Sequence, residues 1–255
     1  MRVYKAFLKK EFMEMARSGK LVALGIIFIL FGIMNPAIAK LTPVLMKMVS
    51  ESMEEMGIAF ENVVVTDMTS WTQFYKNVPM ALIIFVVMFS GIVTAEYQKG
   101  TIIPMFTKGI SPVTVFLSKY TAVLLTWTAG YGLTFCITYF YNEYFWGNVT
   151  KNIAYTAVCS YVLGVFLLSV MMLMSTICKG NTAVIVATAV IFFVIYLLSV
   201  IPALKDYLPT KLMASNELMV GKSASSDYTV SMVVTITISV ICATASGILI
   251  RRKAV

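Results

Sequence analysis

Six apolar runs in this chain are long enough to cross a lipid bilayer, and none contains an aspartate, glutamate, lysine or arginine. About 20 consecutive apolar residues span the hydrocarbon core as an α-helix, a structure that satisfies its own backbone polar groups there. The runs cover residues 21–39, 78–95, 120–141, 153–177, 182–203 and 228–250. We therefore predict an all-α integral membrane protein with six transmembrane helices, forming a single transmembrane domain over residues 1–255.

Composition excludes most soluble classes of protein. Hydrophobic residues make up 59% of the chain and charged residues 13%, whereas soluble domains average about 45–50% apolar and about 25% charged. A soluble globular enzyme and a disordered chain are both excluded on these values. The chain has no histidine, the commonest general base and metal ligand, and none of its 4 cysteines belongs to a C-x-x-C pair. We therefore predict no catalytic residue, no metal ligand and no cofactor site.

Charge is distributed unevenly between the segments that connect the apolar runs. With a cytoplasmic N-terminus, the inner segments hold thirteen of the 20 basic residues but three of the 12 acidic residues. The inner segments are residues 1–20, 96–119, 178–181 and 251–255, and the outer segments are residues 40–77, 142–152 and 204–227. The positive-inside rule therefore predicts that both termini are cytoplasmic. The net charge of +8 is then a signal of orientation, and no nucleic-acid partner is expected.

The N-terminal segment, residues 1–20, has the pattern of an amphipathic interfacial helix. Between residues 4 and 17, apolar side chains recur at helical spacing and charged side chains occupy the other faces. Basic residues on such a helix lie close to anionic headgroups, so the lipid bilayer itself is a predicted partner. The same pattern also suits a helix that packs on the neighbouring spans, and both interpretations keep it at the interface.

The first outer segment carries signals for two additional helices. Thr42 and Pro43 have the pattern of an N-cap followed by proline in the first helical turn. They predict a separate helix over residues 43–56. A second short helix is predicted after Asp67.

The last outer segment, residues 204–227, is interrupted by Pro209 and Gly221, and we expect two short helices there. The apolar run that follows has small residues at every fourth position. These positions are Ser231, Thr235, Ser239, Ala243 and Gly247. Small side chains on one stripe let helix backbones approach closely, so this stripe is predicted to be a packing face.

The inner connection 96–119 bears most directly on mechanism. Its middle part mixes exposed apolar residues with polar ones, and Gly100 and Gly109 bracket a possible short helix. Ser111 and Pro112 begin a helix that runs straight into the third apolar run. A short amphipathic helix on the inner surface is a docking surface for a cytoplasmic partner. The alternative is a helix that only rests on lipid.

This connection resembles the coupling segment of permease subunits from type-two ABC exporters, the ABC-2 type transporter permease family. Five positions match its E-x-x-x-G-T…P-x-x-x-x-x-x-K signature: Glu96, Gly100, Thr101, Pro112 and Lys119. The N-terminal segment is similar to the family's interfacial K-x-E…R helix at Lys9, Lys10, Glu11 and Arg17. The six-span plan with a long first outer segment is similar as well.

The resemblance implies that this chain forms a dimer with a second copy or a paralogue, and that two cytoplasmic ABC ATPase subunits bind beneath it. Mg-ATP would be hydrolysed in those subunits, so this chain is a transport subunit for export or efflux and not an enzyme. The inner connection would be the coupling helix, anchored by Glu96 to the span or to the interfacial helix. The residues implied in this ATPase-coupling loop are Glu96, Tyr97, Gly100, Thr101, Met105, Phe106, Lys108, Pro112 and Lys119. The implied location is a bacterial cell membrane.

Several alternatives stay open at this stage. An ion-coupled secondary carrier usually needs ionisable residues inside the membrane, and the apolar runs contain none. A sensor or assembly protein that transports nothing would have the same six spans. Cleavage after residues 37–39, as at a signal-peptide site, would leave five spans. The identity of the cargo is open, although uncharged spans favour an amphipathic or hydrophobic molecule.

Overall fold

The computed structural model describes residues 2–54, 66–101 and 109–253, and every regular element within these ranges is a helix. The helices are α1 (Arg2–Arg17), α2 (Lys20–Glu54), α3 (Asp67–Phe89), α4 (Gly91–Gln98), α5 (Pro112–Trp146), α6 (Ile153–Ile177), α7 (Asn181–Leu198), α8 (Pro202–Lys205), a 3-10 helix (Pro209–Leu218) and α9 (Ser226–Lys253).

Six helical stretches are long and apolar enough to cross a membrane. They are Lys20–Met48, Asp67–Gln98, Pro112–Trp146, Ile153–Ile177, Asn181–Leu198 and Ser226–Arg251. Each overlaps one of the predicted runs, and α3 and α4 together form the second. For the described residues, the prediction of an all-α protein with six helices long and apolar enough to span a membrane is therefore confirmed.

The predicted separate helix beginning at Pro43 is wrong. Helix α2 continues through Pro36 and Pro43 as far as Glu54. Thr42 does not cap a helix, because its hydroxyl donates to the carbonyl of Ile38 at 2.8 Å, one turn back in the same helix. A long apolar helix tolerates proline when other groups satisfy the freed carbonyl.

The short helix expected after Asp67 is the first part of α3, which continues without a break through Pro79 to Phe89. The end predicted for the fifth span is too late. Helix α7 ends at Leu198, because Ile201 precedes a proline and adopts extended backbone angles. The two short helices expected in the last outer segment are present as α8 and the 3-10 helix.

A pair of buried asparagines and a threonine join α2, α3 and α5 inside the bundle. Asn77 Nδ2 donates to Asn35 Oδ1 at 2.7 Å, and Asn35 Nδ2 donates to Thr138 Oγ1 at 3.0 Å. The Thr138 hydroxyl lies 3.3 Å from the carbonyl oxygen of Gly32 and donates to it. Pro36 has no N–H for that carbonyl, so Thr138 supplies the missing donor. The network lets the proline stay inside a continuous helix.

The packing stripe of α9 is buried along its first half. Ser231, Thr235 and Ser239 are at most 4% exposed, whereas Ala243 and Gly247 are half-buried and Cys242 and Ser246 are buried beside them. A step of four residues overshoots a 3.6-residue turn by roughly 40°. A stripe with that strict spacing therefore rotates away from α6 along the helix. In the second half of α9, Cys242 and Ser246 are buried in place of Ala243 and Gly247.

Candidate functional site: a buried ionic cluster

Helix α1 packs against α5 and α2 at one end of the bundle, which we call the α1 end. Tyr4 at its start donates a hydrogen bond of 2.9 Å to Thr121 on α5. Glu11 and Met15 are buried, one helical turn apart on the same face. The predicted N-terminal amphipathic helix is thus present, and its buried face carries an acidic residue.

Four charged side chains from three helices meet at the α1 end. We call Lys10, Glu11, Glu96 and Lys119 the ionic cluster. Lys119 Nζ lies 2.9 Å from both carboxylate oxygens of Glu11 and 3.0 Å from Glu96 Oε1. Lys10 Nζ lies 2.6 Å from Glu96 Oε1 and 3.3 Å from Glu11 Oε1. Glu11 and Lys119 are 2% exposed and Glu96 is 7% exposed.

The cluster is electrically balanced, with two ammonium groups against two carboxylates. Burial opposes the charge of Lys10, but the hydrogen bond to Glu96 and the charges of Glu11, Glu96 and Glu14 raise its pKa above the ordinary value. Lys10 is therefore charged at neutral pH. A buried ion pair of this kind adds little net stability by itself. Removal of one partner is nonetheless destabilising, because the other charge stays buried without a counter-charge.

The cluster places charged side chains inside the packed part of the protein. The six apolar runs are free of charge, as predicted, yet Glu11, Glu96 and Lys119 in the flanking segments are buried. Each of them is compensated by residues from another helix. A hydropathy window cannot detect such compensation, because it reads one segment at a time.

The E-x-x-x-G-T part of the signature forms the C-terminal cap of α4. Thr101 N donates to Glu96 O at 3.1 Å, and Gly100 N donates to Tyr97 O at 3.2 Å. These two bonds define a Schellman motif, whose first residue past the helix needs the left-handed conformation that glycine adopts easily. Gly100 has a φ of 66°. The Thr101 hydroxyl adds a third bond to Glu96 O at 3.3 Å, so the cap fixes the backbone that carries the Glu96 side chain.

The P-x-x-x-x-x-x-K part forms the start of α5. Ser111 has extended backbone angles before the helix, and Pro112 occupies its first turn as predicted. Seven residues are about two helical turns, so Lys119 lies on the same face of α5 as the helix start. Val115 and Phe116 on this part of α5 are buried as well. The spacing thus directs Lys119 towards the packed side of the bundle.

A second set of contacts ties α4 to the connection between α6 and α7, and sequence reasoning missed it. Thr94 donates a short hydrogen bond to the side chain of Asn181, and Gln98 Nε2 donates to Lys179 O at 2.9 Å. Gly91 makes room for the amide, since a Cβ there would lie 2.7 Å from Asn181 Nδ2. Asparagine at the first position of an apolar helix was the available signal.

The other residues predicted for the coupling loop and the interfacial helix are exposed or half-buried, or lie outside the described residues. Lys9 and Arg17 on α1 are exposed, as is Thr101, while Tyr97 and Pro112 are half-buried. Met105, Phe106 and Lys108 lie outside the described residues. The structure therefore unites Lys10, Glu11, Glu96 and Lys119, and leaves Lys9 and Arg17 apart from them.

Two acids of the cluster and the neighbouring Glu14 form a grouping that could hold a metal ion. Carboxylate oxygens of Glu11, Glu14 and Glu96 lie within 4.8 Å of one another. Lys10 contacts all three residues, at 3.3, 3.4 and 2.6 Å. Its ammonium group, together with that of Lys119, occupies the position that a cation would take, and the geometry is that of an ion-pair network.

No protein-family model matches the chain, and no curated protein matches it. The fold defines the class nonetheless. Six long apolar helices make the chain a multi-pass helical membrane protein.

Proposed function

We propose that this chain is the permease subunit of a type-two ABC exporter in a bacterial cell membrane. Both termini are cytoplasmic in this proposal, and the α1 end faces the cytoplasm. Two permease chains, identical or paralogous, form the translocation path. Two separate ATPase subunits bind the inner surface and hydrolyse Mg-ATP.

The ionic cluster is the observation that carries the proposal. The proposed ATPase-coupling loop leaves the second span after Glu96 and enters the third span before Lys119. Glu96 Oε1 lies 3.0 Å from Lys119 Nζ and 2.6 Å from Lys10 Nζ. A force applied to the loop therefore reaches α1 and two spans through one buried network. An ATP-driven permease requires this kind of mechanical connection between its loop and its helices.

Contacts on the other side of α4 extend the connection. Thr94 binds the side chain of Asn181, the first residue of α7, and Gln98 binds the carbonyl of Lys179, two residues earlier. Helix α4 is therefore held on two sides, by the cluster and by the connection between α6 and α7. In this proposal, movement of its capped end is transmitted to α1 and to the third and fifth spans.

The charge distribution supports the orientation. Thirteen of the 20 basic residues belong to segments on the side of α1, the side that the positive-inside rule assigns to the cytoplasm. The chain also lacks a phosphate-binding loop. Gly221, Lys222 and Ser223 resemble the end of one, but Asn216 stands where its first glycine is required. ATP must then be bound by a partner.

An ion-coupled carrier is the rival function, and one observation favours it. Glu96 is 7% exposed, and its Oε2 atom has no hydrogen-bond partner within the described ranges. Unpaired buried carboxylate oxygens occur at proton and cation sites of carriers. The short distances from Lys10 and Lys119 to the other carboxylate oxygen favour a permanent ion pair instead.

Purification from native membranes separates the two functions. The full-length chain is tagged, extracted in mild detergent and analysed by mass spectrometry and by a Mg-ATP hydrolysis assay. The proposal predicts that an ABC ATPase co-purifies and that the eluate hydrolyses ATP. A carrier would purify without an ATPase, and its transport in vesicles would stop when a proton or sodium ionophore removes the gradient.

A further inference from the structure

Two adjoining cavities differ in the chemistry of their walls. The first is a groove of about 560 Å³ between α3, α6 and α7, and its walls present apolar atoms. Thr188 in this wall carries a hydroxyl, and this hydroxyl donates a hydrogen bond of 2.7 Å to the carbonyl oxygen of Val184. The wall includes the side chains of Leu82, Val86, Leu163, Leu167, Phe192 and Phe193. The groove suits an alkyl chain.

The second cavity is a cleft of about 800 Å³ formed by α8, the 3-10 helix and the start of α9, and its lining is mixed, with both polar and apolar side chains. Charged side chains of both signs line it: Lys205, Asp206, Lys211, Glu217 and Asp227. Lys211 Nζ lies 2.7 Å from Asp206 Oδ1, and this hydrogen bond and charge hold the pKa of Asp206 below its usual value. The cleft therefore contains basic and acidic side chains, of which Lys211 and Asp206 are paired with each other.

The groove and the cleft are adjacent. Tyr196 and Met213 line both of them. Each volume lies within the range of about 300–1,000 Å³ that is usual for ligand pockets. A molecule with an apolar part and a charged part can therefore place one part in each cavity.

The cleft contains a buried polar group without a partner. Thr210 lines the cleft and is 7% exposed, and its hydroxyl has no hydrogen-bond partner among the residues that the structure describes. Buried hydroxyls in folded proteins are almost always bonded. An occupant of the cleft that carries a polar headgroup would supply the missing partner.

The groove has one lightly packed wall. In the most apolar window of α7, 11% of the residues are buried, compared with 28–61% in the other five spans. Helix α7 therefore forms one wall of the groove with few contacts to the rest of the chain.

We propose that the groove and cleft together bind an amphiphile with an alkyl tail and a zwitterionic headgroup. The tail occupies the groove, and the headgroup meets the charges of the cleft and the hydroxyl of Thr210. This inference rests on the proposed function, of which the amphiphile is the cargo class. A purely hydrophobic cargo would not use the cleft, and a purely charged cargo would not use the groove.

The test uses the purified full-length chain in a non-ionic maltoside detergent, without any ATPase. The probe is an alkyl phosphocholine with a photoreactive diazirine in its tail, and mass spectrometry locates the labelled residues. We expect saturable labelling of α3, α6 and α7 that an excess of unlabelled probe removes. Labelling spread over all lipid-facing helices without saturation would overturn the proposal.

Matched variants define the two parts of the site. Ala189→Trp fills the groove from α7 and is expected to reduce labelling to background. Ala183→Trp, on an exposed position of the same helix outside the groove, is expected to leave it unchanged. Thr210→Val removes a hydroxyl that has no partner in the described structure and so should leave the fold intact. It should weaken probe binding roughly threefold to tenfold, the effect of one hydrogen bond to a ligand.

Two controls complete the experiment. Thr229→Val, outside the cleft, should bind the probe as the unchanged chain does. Competition with a diacyl phosphatidylcholine or with a single-chain phosphocholine distinguishes a bilayer lipid from a smaller cargo. Displacement by either competitor supports the site, and displacement by neither contradicts it. Because no ATPase is present, failure of binding leaves the proposed function itself intact.

Discussion

Lys119 on α5 and Glu11 on α1 form a buried ion pair between residues 108 positions apart in the chain. The ammonium nitrogen lies 2.9 Å from each carboxylate oxygen, and both side chains are 2% exposed. Because Lys119 also contacts Glu96 at 3.0 Å, this pair is the centre of the ionic cluster.

The variant Lys119→Met should be strongly destabilised. It would leave two buried carboxylates with Lys10 as their main remaining cation, and breaking a buried pair in this way costs about 3–5 kcal/mol. Thermal unfolding in detergent, followed by size-exclusion chromatography with fluorescence detection, measures the effect. Lys9→Met, on the exposed face of α1, is the control and should unfold as the unchanged chain does.

The double variant Glu11→Met with Lys119→Met tests whether charge, and not packing, explains the loss. It removes both members of the pair and should be more stable than Lys119→Met alone. Equal or lower stability of the double variant would show that the pair is not the source of the effect.

Gly100→Ala should disturb the cap of α4 and the position of Glu96. Gly100 has a φ of 66°, and an L-residue with a Cβ costs roughly 1–2 kcal/mol in that conformation. We expect faster limited proteolysis after α4 and reduced ATP hydrolysis by the purified complex. Gly132→Ala is the matched control, since Gly132 is helical and nothing lies within 4 Å of the added carbon. Identical behaviour of the two variants would contradict the role of the cap.

The Thr138 hydroxyl and Pro36 should be energetically coupled. Thr138→Val removes the donor to Gly32 O at 3.3 Å and the acceptor for Asn35 at 3.0 Å, a loss of about 1–3 kcal/mol. The loss should be smaller when Pro36→Ala is also present, because the new N–H at position 36 can bind the Gly32 carbonyl. A double-mutant cycle on thermal unfolding measures the coupling, and strict additivity would refute it.

Gly164→Ala should destabilise the core around Trp127. A Cβ at position 164 would overlap the indole ring, with Trp127 Cε2 2.6 Å away, and Trp127 is 0% exposed with Phe28 and Phe85 on its other sides. Overpacking of a closed core costs about 1–3 kcal/mol. Thermal unfolding and the tryptophan emission spectrum report the change, again with Gly132→Ala as the control.

The spans were predictable because hydropathy is a local property. Each apolar run overlaps one of the six membrane-spanning helical stretches, and Pro112 marks the beginning of α5 correctly. The continuation of α2 to Glu54 was not predictable. A proline such as Pro43 interrupts most helices of soluble proteins, and the sequence around it gives no sign that the helix continues. The burial of the small-residue stripe on α9 was predictable in its first half, near Ser231. The prediction fails in the second half, where the helical period rotates the stripe away from α6.

The ionic cluster was predictable in its members but not in its geometry. Glu96, Gly100 and Lys119 stand out through motif spacing, which the cap of α4 and the face of α5 explain. The partnership of Glu11 with Lys119 depends on how α1 packs against α5, and no local pattern contains that information. For the same reason the contact between Thr94 and Asn181 could not be anticipated.

The central claim is that the ionic cluster couples an ATPase to the spans, and one comparison tests it most directly. The complex purified from native membranes is prepared with the unchanged chain, with Glu96→Gln, and with Glu143→Gln at the opposite end as control. Each is assayed for Mg-ATP hydrolysis per bound ATPase. We predict that an ATPase co-purifies with all three and that Glu96→Gln alone reduces the rate about tenfold, or about 1.4 kcal/mol. Absence of an ATPase from the complex, or equal rates in all three, would contradict the account.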